Sequence, residues 1–244
     1  TVVDITQGIP SGDIRGGAFA LAAGCRFFPK GTVHVAVVDP GVGTARQAIA
    51  VQTAEALFVG PDNGVLSWAL AKQKIRAIHA LENEAFFRQP VSQTFHGRDI
   101  FAPVAAHLSR GLPIGKLGPA LADLVRLDWP EPRKQRGTTA GEVIYIDRFG
   151  NAITNLEGGL LRGLEPVVGE GRGRGRRVCP LKTCYQAVSP GSLVALVGSS
   201  GFVEIAVNGG SAERAVGLKL GTCVVLRAAL PRRTSREDGH SRAF

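Results

Sequence analysis

A change in hydrophobic pattern near residue 135 constrains this chain's fold more than any other sequence feature. Before it, helical apolar periodicity alternates with β-branched runs, which is typical of an α/β domain. After it, short apolar runs alternate with Gly, Asn and Ser turns, which indicates a small barrel or sandwich. We predict an α/β N-terminal domain (1–135) with a buried sheet flanked by helices, a smaller all-β, barrel-like C-terminal domain (136–228) and a disordered basic tail (229–244).

The individual elements follow from the same patterns. In the first half we predict helices over 12–24, 65–72 and from about Asp99, and strands over 32–39, 56–60 and 75–81. The run 32–39 (TVHVAVVD) reads as a strand buried on both faces. In the second half we predict strands over 142–147, 152–156, 193–197, 202–207 and 223–226. The Pro- and charge-rich stretch 128–140 is the predicted linker.

The net charge of +9 comes largely from two segments, GEGRGRGRR (169–177) and the tail. A solvent-exposed loop and tail explain this positive charge, and binding of nucleic acid by these segments is the more specific alternative. Nucleic-acid binding is disfavoured because the chain has no RNA-binding signature and no aromatic residues interleaved with the arginines. No apolar run approaches 18 residues, so we expect no membrane span. The four cysteines form no CxxC pair, so we expect no metal site and reduced thiols.

The start of the sequence is unusual. There is no Met anywhere, and the chain opens at Thr1 inside a strand-like run. We therefore expect that the natural N-terminus is missing. No basic and apolar leader opens the chain, so we expect a cytoplasmic protein.

Three polar clusters follow predicted strands or precede a helix. They are VVDPGVGTAR (37–46), TFHGRDI (94–100) and DRFGN (147–151). Ligands of α/β sheets bind where strands end, which makes the first cluster a candidate site. Taken singly, each cluster fits a structural role better than a catalytic one. In order, these roles are an Asp–Arg salt bridge in a turn, a histidine near a helix start, and ordinary turn residues.

Together these motifs carry a resemblance. VVDPGVGTAR, FVGPDNGVLS, TFHGRDIFAPVAAHL, DRFGNAITN and GSSGFVEIAVNGGSA occur in this order. With these spacings the chain resembles the S-adenosyl-L-methionine (SAM) hydroxide adenosyltransferases, relatives of fluorinase and chlorinase, from residue 1 to about 227. The resemblance implies hydrolysis of SAM to adenosine and L-methionine, with SAM as substrate and no cofactor. It also implies a homotrimer with SAM bound between subunits.

By motif match, the resemblance implies a catalytic triad of Asp39, Arg46 and His96 that acts on the attacking water. The halogenating relatives carry an aromatic residue at the position of Asp39 and lack the matching Arg and His. The sequence therefore favours water over a halide ion as the nucleophile. Which member of the triad is the formal base is left open at this point.

The resemblance also implies the residues that bind the substrate. Asp147 and Ser199 match the methionine end, Asn151 matches an adenine contact, and Phe95 and Phe149 match residues that line the pocket. For the two phenylalanines, plain packing is the alternative.

Two other functions compete with this interpretation. The family begins with a strand and an Asp-bearing loop that helps to hold the ribose, and neither precedes Thr1. A catalytically impaired trimer that binds SAM or adenosine is therefore the alternative. An RNA-associated protein is the third hypothesis, and it rests only on the Arg-rich segments.

Overall fold

The structure is a computed structural model that describes residues 1–135, 137–161, 164–168 and 177–228. It is mostly sheet, with few helices. The chain divides into two compact units, and the division falls between Trp129 and Pro130. Within the described ranges, no helix is long and apolar enough to cross a membrane.

The first unit is built on a four-stranded sheet with the order β1-β3-β2-β4. Its elements are α1 (Ile14–Cys25), β1 (Val33–Val35), β2 (Ala48–Thr53), β3 (Leu57–Pro61), α2 (Ser67–Leu70), β4 (Ile75–Ala80) and α3 (Ala102–Ser109). Strand β1 runs parallel to β3, whereas β2 runs antiparallel to both of its neighbours.

The side chains of β2 alternate between the two faces of this sheet, and each face is covered by a helix. Ile49 and Val51 belong to a buried cluster that includes Leu21 of α1. Ala50, between them, belongs to a second cluster that includes Val104 of α3. Because successive strand residues point to opposite faces, β2 is buried against helices on both sides.

Several expectations for this unit were wrong. The strand predicted over 32–39 ends at Val35, and it lies at the sheet edge with only β3 beside it. Its burial on both faces was also wrong, since Val35 and Val37 are 43% and 42% exposed. The helix predicted over 65–72 shortens to a single turn, α2. Strand β2 was not predicted, because its Ala and Gln residues have weak strand propensity.

The second unit contains the antiparallel sheet β10-β11-β7-β6-β12-β8-β9, and β5 pairs with β6 outside this order. Its elements are β5 (Arg133–Gln135), β6 (Thr138–Ile146), β7 (Ala152–Glu157), β8 (Leu164–Val168), β9 (Arg177–Val178), β10 (Leu193–Val197), β11 (Phe202–Val207), α4 (Ala212–Val216) and β12 (Cys223–Ala228). Leu156, Ile205 and Leu226 lie in its buried core.

The predicted linker 128–140 is partly strand. β5 and the start of β6 form a hairpin there, because backbone pairing at an exposed edge tolerates polar side chains. Strand β8 was missed because Pro166 argues against a strand. The predicted tail (229–244) and residues 169–176 of the Arg-rich segment lie outside the described residues.

His34 generates a prediction about stability. It is 5% exposed on β1, between the rings of Phe28 and Phe58, and burial lowers its pKa. The unfolded chain therefore binds a proton at His34 more readily than the folded chain does. The stability that neutral, buried His34 contributes is fully present above pH ~6.5 and is lost as the pH falls below that value. We expect the free energy of unfolding to decline between pH 7 and 5, by at most about 1.4 kcal/mol per pH unit for this one proton.

Urea unfolding across this pH range measures the effect. His34→Phe should flatten the decline, because an apolar ring binds no proton. The matched control is His107→Phe, which removes an imidazole at an exposed position of α3. An undiminished slope in folded His34→Phe contradicts the assignment.

Candidate active site

The backbone that leads to Asp39 is held by β3 and by the turn that follows β3. After β1 the chain continues beside β3, where the Ala36 N–H donates to the Val59 carbonyl at 3.1 Å. The Asn63 Nδ2 donates to the Val38 carbonyl at 2.8 Å, and its Oδ1 accepts from the Val65 N–H at 3.1 Å. The turn that contains Asn63 thus fixes the backbone immediately before Asp39.

The glycine-rich turn then returns the chain to the same place. The Thr44 N–H and hydroxyl both donate to the Gly41 carbonyl, at 3.1 and 2.6 Å. Gly43 has a φ of +77°, and a Cβ there would lie 2.5 Å from the Gln93 carbonyl oxygen. Glycine is therefore required at this close approach of two loops, and the compact turn brings Arg46 back to Asp39.

Asp39 and Arg46 form a nearly buried ion pair. The Arg46 Nε lies 2.9 Å from Asp39 Oδ1 and 3.1 Å from Oδ2, and its Nη2 lies 2.5 Å from Oδ2. The two side chains are only 6% and 11% exposed, respectively. The guanidinium also lies 5.4 Å from the ring centre of the buried Phe101. Arg46 is thus fixed by charge, hydrogen bonds and an aromatic face.

His96 completes this cluster through the same guanidinium. The Arg46 Nη2 lies 2.7 Å from His96 Nδ1. Because a guanidinium has only donors, Nδ1 must accept, and the neutral ring carries its proton on Nε2. Burial lowers the His96 pKa first, and the positive charge of Arg46 lowers it further, against opposing effects of Asp39 and Asp99. His96 is therefore a neutral hydrogen-bond donor at Nε2.

Asp99 anchors the loop that carries His96. Its side chain is fully buried and accepts from Arg98 Nε at 2.7 Å, the Ser92 N–H at 2.9 Å and Arg88 Nη1 at 3.3 Å. The Arg98 hydrogen bond is the main cause that holds the Asp99 pKa well below its usual range. The sequence analysis missed this role, and the only local signal was an acidic residue directly after Arg98 near a predicted helix start.

A hollow of about 250 Å³ opens beside the cluster. It is lined by residues 44–48 and 80–82 together with His96 and Ile100. It is large enough for several water molecules. Among the described residues, no group of three or more His, Cys, Asp or Glu side chains could hold a metal ion.

The second unit carries the other predicted side chains. Asp147 Oδ1 accepts from the backbone N–H groups of Phe149 (2.8 Å) and Asn151 (3.0 Å), and Oδ2 accepts from Asn151 Nδ2 (3.0 Å). Gly150 lies directly against Ser211, the N-cap of α4, and accepts the Glu213 N–H at 3.0 Å. Asp147 and Asn151 are thus brought together in a braced turn.

The remaining predicted residues lie at the surface of their units. Ser199 is exposed in the turn between β10 and β11. Phe95 and Phe149 are 54% and 63% exposed, which argues against core packing as their role. Each ring lies about 4.9 Å from a guanidinium, that of Arg98 and Arg148 respectively.

Sequence analysis also missed a buried acid in the second unit. Glu204 on β11 is 6% exposed, and its Oε1 accepts from the Tyr185 hydroxyl at 2.7 Å. Burial is the main cause that raises the Glu204 pKa, and the charge of Asp147 raises it further. The signal was present in the sequence as a single charge within the apolar strand FVEIAV.

Comparison with known proteins identifies the family. Residues 1–118 match the SAM hydroxide adenosyltransferase N-terminal domain, and residues 141–225 match the corresponding C-terminal domain. The chain belongs to the SAM hydroxide adenosyltransferase family. The resemblance drawn from the motifs is thereby confirmed.

Relatives cover most of the chain. An (R)-S-adenosyl-L-methionine hydrolase of Salinispora tropica is 44% identical over 90% of this chain and 84% of its own length. The enzyme of the same name from Thermus thermophilus is 44% identical over 92% of this chain and 87% of its own length. An uncharacterized conserved protein from Thermotoga maritima has a similar structure, with a TM-score of 0.85 and 35% identity over 93% of this chain and 89% of its own. Fluorinases are more distant, at 26–27% identity.

The arrangement of Arg46 and His96 predicts the histidine tautomer. With ¹⁵N-labelled histidine, the His96 signals at pH 7 should show an unprotonated Nδ1 and a protonated Nε2, with a pKa below about 6.5. Arg46→Gln should raise this pKa, because it removes a positive charge that lowers it. A His96 protonated on Nδ1 would contradict the geometry.

Proposed function

We propose that this chain hydrolyses SAM to adenosine and L-methionine by attack of water at C5′ of the ribose. The observation that carries the proposal is the partly buried Asp39–Arg46–His96 cluster in a member of the SAM hydroxide adenosyltransferase family. Relatives that are 44% identical are named SAM hydrolases, which supports the same reaction.

In this reaction the attacking water must be activated, whereas the leaving group needs no help. A water oxygen forms a bond to C5′ while the C5′–S bond breaks, and the electron pair of that bond stays on sulfur. The sulfonium leaves as the neutral thioether of methionine, so the leaving group needs no general acid. The attacking water must be positioned and must lose one proton.

The hydrogen bonds within the cluster favour Asp39 as the acceptor of that proton. His96 Nδ1 is occupied by Arg46, and Nε2 already carries a proton, so the neutral ring has no free lone pair. Arg46 has no acceptor at all. Asp39 Oδ1 accepts one hydrogen bond from Arg46 and retains capacity for another. In this mechanism Asp39 is the base, His96 donates to the water oxygen, and Arg46 holds both.

The same carboxylate selects the nucleophile. A halide ion next to Asp39 would meet negative charge in a confined site, whereas water is neutral and can donate a hydrogen bond to it. The proposal therefore predicts hydrolysis and no 5′-halo product.

The finer features of the proposal come from the family resemblance. Asp147 and Ser199 bind the methionine moiety, Asn151 binds adenine, and Phe95 and Phe149 line the pocket. The enzyme is a cytoplasmic homotrimer, and each subunit has an α/β N-terminal domain and a barrel-like C-terminal domain. Exposure of both phenylalanine rings supports a role in ligand contact.

Labelled water tests the reaction itself. With SAM and ¹⁸O-water, the label should enter the 5′-hydroxyl of adenosine and should be absent from methionine, because water attacks carbon. In a parallel reaction with excess chloride or fluoride, mass spectrometry should detect adenosine only. Efficient formation of a 5′-halo product would overturn the assignment of water as nucleophile. Binding of SAM without turnover would favour the impaired, binding-only alternative.

Asp39→Asn tests the base. The amide keeps the shape of the carboxylate and loses its basicity, so turnover should fall by roughly 100-fold or more while SAM affinity changes little. Asp123→Asn, at an exposed position, is the matched control. If Asp39 were only a salt-bridge partner of Arg46, the variant would lose thermal stability and retain its turnover per folded molecule. Melting temperature, SAM affinity and turnover measured on the same preparations separate the two outcomes.

A further inference from the structure

The second unit contains two acidic groups, Asp147 and Glu204, for which no described residue supplies a positive charge. Strand pairing places Glu204 and Asp147 on the same face of the sheet, because Glu204 lies opposite Ile153 of β7, Ile153 lies opposite Tyr145 of β6, and Asp147 follows two residues after Tyr145. In keeping with this placement, the negative charge of Asp147 raises the pKa of Glu204. Among the described residues, neither forms an ion pair with Lys, Arg or His. A nearly buried carboxylate without a countercharge is costly to maintain in its ionised form.

Glu204 is held in one orientation. Its Oε1 accepts from the Tyr185 hydroxyl, which lies 2.7 Å away. On the other side, Gly198 lies against Oε2, and a Cβ added to this glycine would lie 2.6 Å from that oxygen. The Tyr185 hydroxyl therefore orients this carboxylate, and the turn 198–201 lies beside its other oxygen.

One oxygen of Glu204 remains available. Oε2 accepts no hydrogen bond from any described residue. Glu204 as a whole is only 6% exposed, so Oε2 is a single acceptor at the end of a nearly buried side chain.

Asp147, in contrast, is largely committed to its own turn. It accepts three hydrogen bonds, from the backbone of Phe149 and from the backbone and side chain of Asn151. A carboxylate offers about four acceptor sites, so little remains for a ligand. An ammonium group has three N–H donors, which Asp147 alone cannot satisfy.

We propose that Glu204, oriented by Tyr185, is a second carboxylate that binds the ammonium group of the substrate's methionine moiety beside Asp147. This inference rests on the proposed function, and it adds Glu204 as a specificity-determining residue. The ammonium supplies a countercharge that no described residue gives to the two carboxylates, and one of its three N–H donors can bond to Glu204 Oε2. Discrimination against ligands without an amino group follows from the same contact.

The test compares two ligands on the full chain by calorimetry. S-adenosyl-L-homocysteine carries the ammonium but has no sulfonium to be hydrolysed, and its deaminated counterpart lacks the ammonium. Glu204→Gln keeps the shape and loses the charge. It should weaken binding of S-adenosyl-L-homocysteine by about 10-fold or more, the scale of a lost hydrogen bond to a charged group, and change binding of the deaminated ligand less than about twofold. The matched control is Glu157→Gln, an exposed glutamate at the end of β7.

Tyr185→Phe provides a second variant if Glu204→Gln folds poorly. Loss of the hydroxyl removes a hydrogen bond that lowers the Glu204 pKa, so selectivity for the ammonium ligand should fall in the same direction, by less. An equal loss for both ligands, or no loss for either, overturns the role of Glu204 while the proposed function stands. Failure of the wild-type chain to bind adenosine and both ligands overturns the proposed function and this inference with it.

Discussion

The guanidinium of Arg46 is the contact on which the candidate site depends. It joins a turn that follows β1 to a loop that precedes α3, by hydrogen bonds to Asp39 and His96. A buried ion pair of this kind contributes little net stability, because desolvation offsets the attraction. Its value is geometric: a planar group with fixed donors sets the position of the carboxylate and the tautomer of the imidazole together.

The two units differ in whether their acidic side chains have a described positive partner. In the first, the negative charge of Asp39 is matched by Arg46, and His96 is kept neutral. In the second, Asp147 and Glu204 have no described countercharge. SAM carries a sulfonium, an ammonium and a carboxylate, so its net charge is positive. In the proposed mechanism, a neutral reaction centre and an acidic binding region suit such a ligand, since the binding energy comes from the charges that do not react.

The sequence predicted the chemistry better than the sheet. Asp39, Arg46 and His96 were grouped from long, ordered motifs, and the structure brings the three side chains into contact. Strand β2 was missed because its Ala and Gln residues give no β-branched signal, although its burial between two helical layers decides its structure. The roles of Asn63, Asp99 and Glu204 depend on partners remote in sequence, or on loop closure, and single-sequence patterns carry no such information.

The tautomer of His96 follows from its contact with the Arg46 guanidinium. It explains why His96 and Asp39 have different roles in the proposed mechanism. An imidazolium would point an Nδ1–H at the Arg46 N–H, so protonation of His96 would replace an attraction by a repulsion. This is one reason, after burial, why its pKa lies below the usual value. The ring therefore stays a donor at neutral pH. In the proposed reaction the thioether leaves without a proton, so only one acceptor is needed, and a histidine held as a donor leaves the role of base to the adjacent carboxylate.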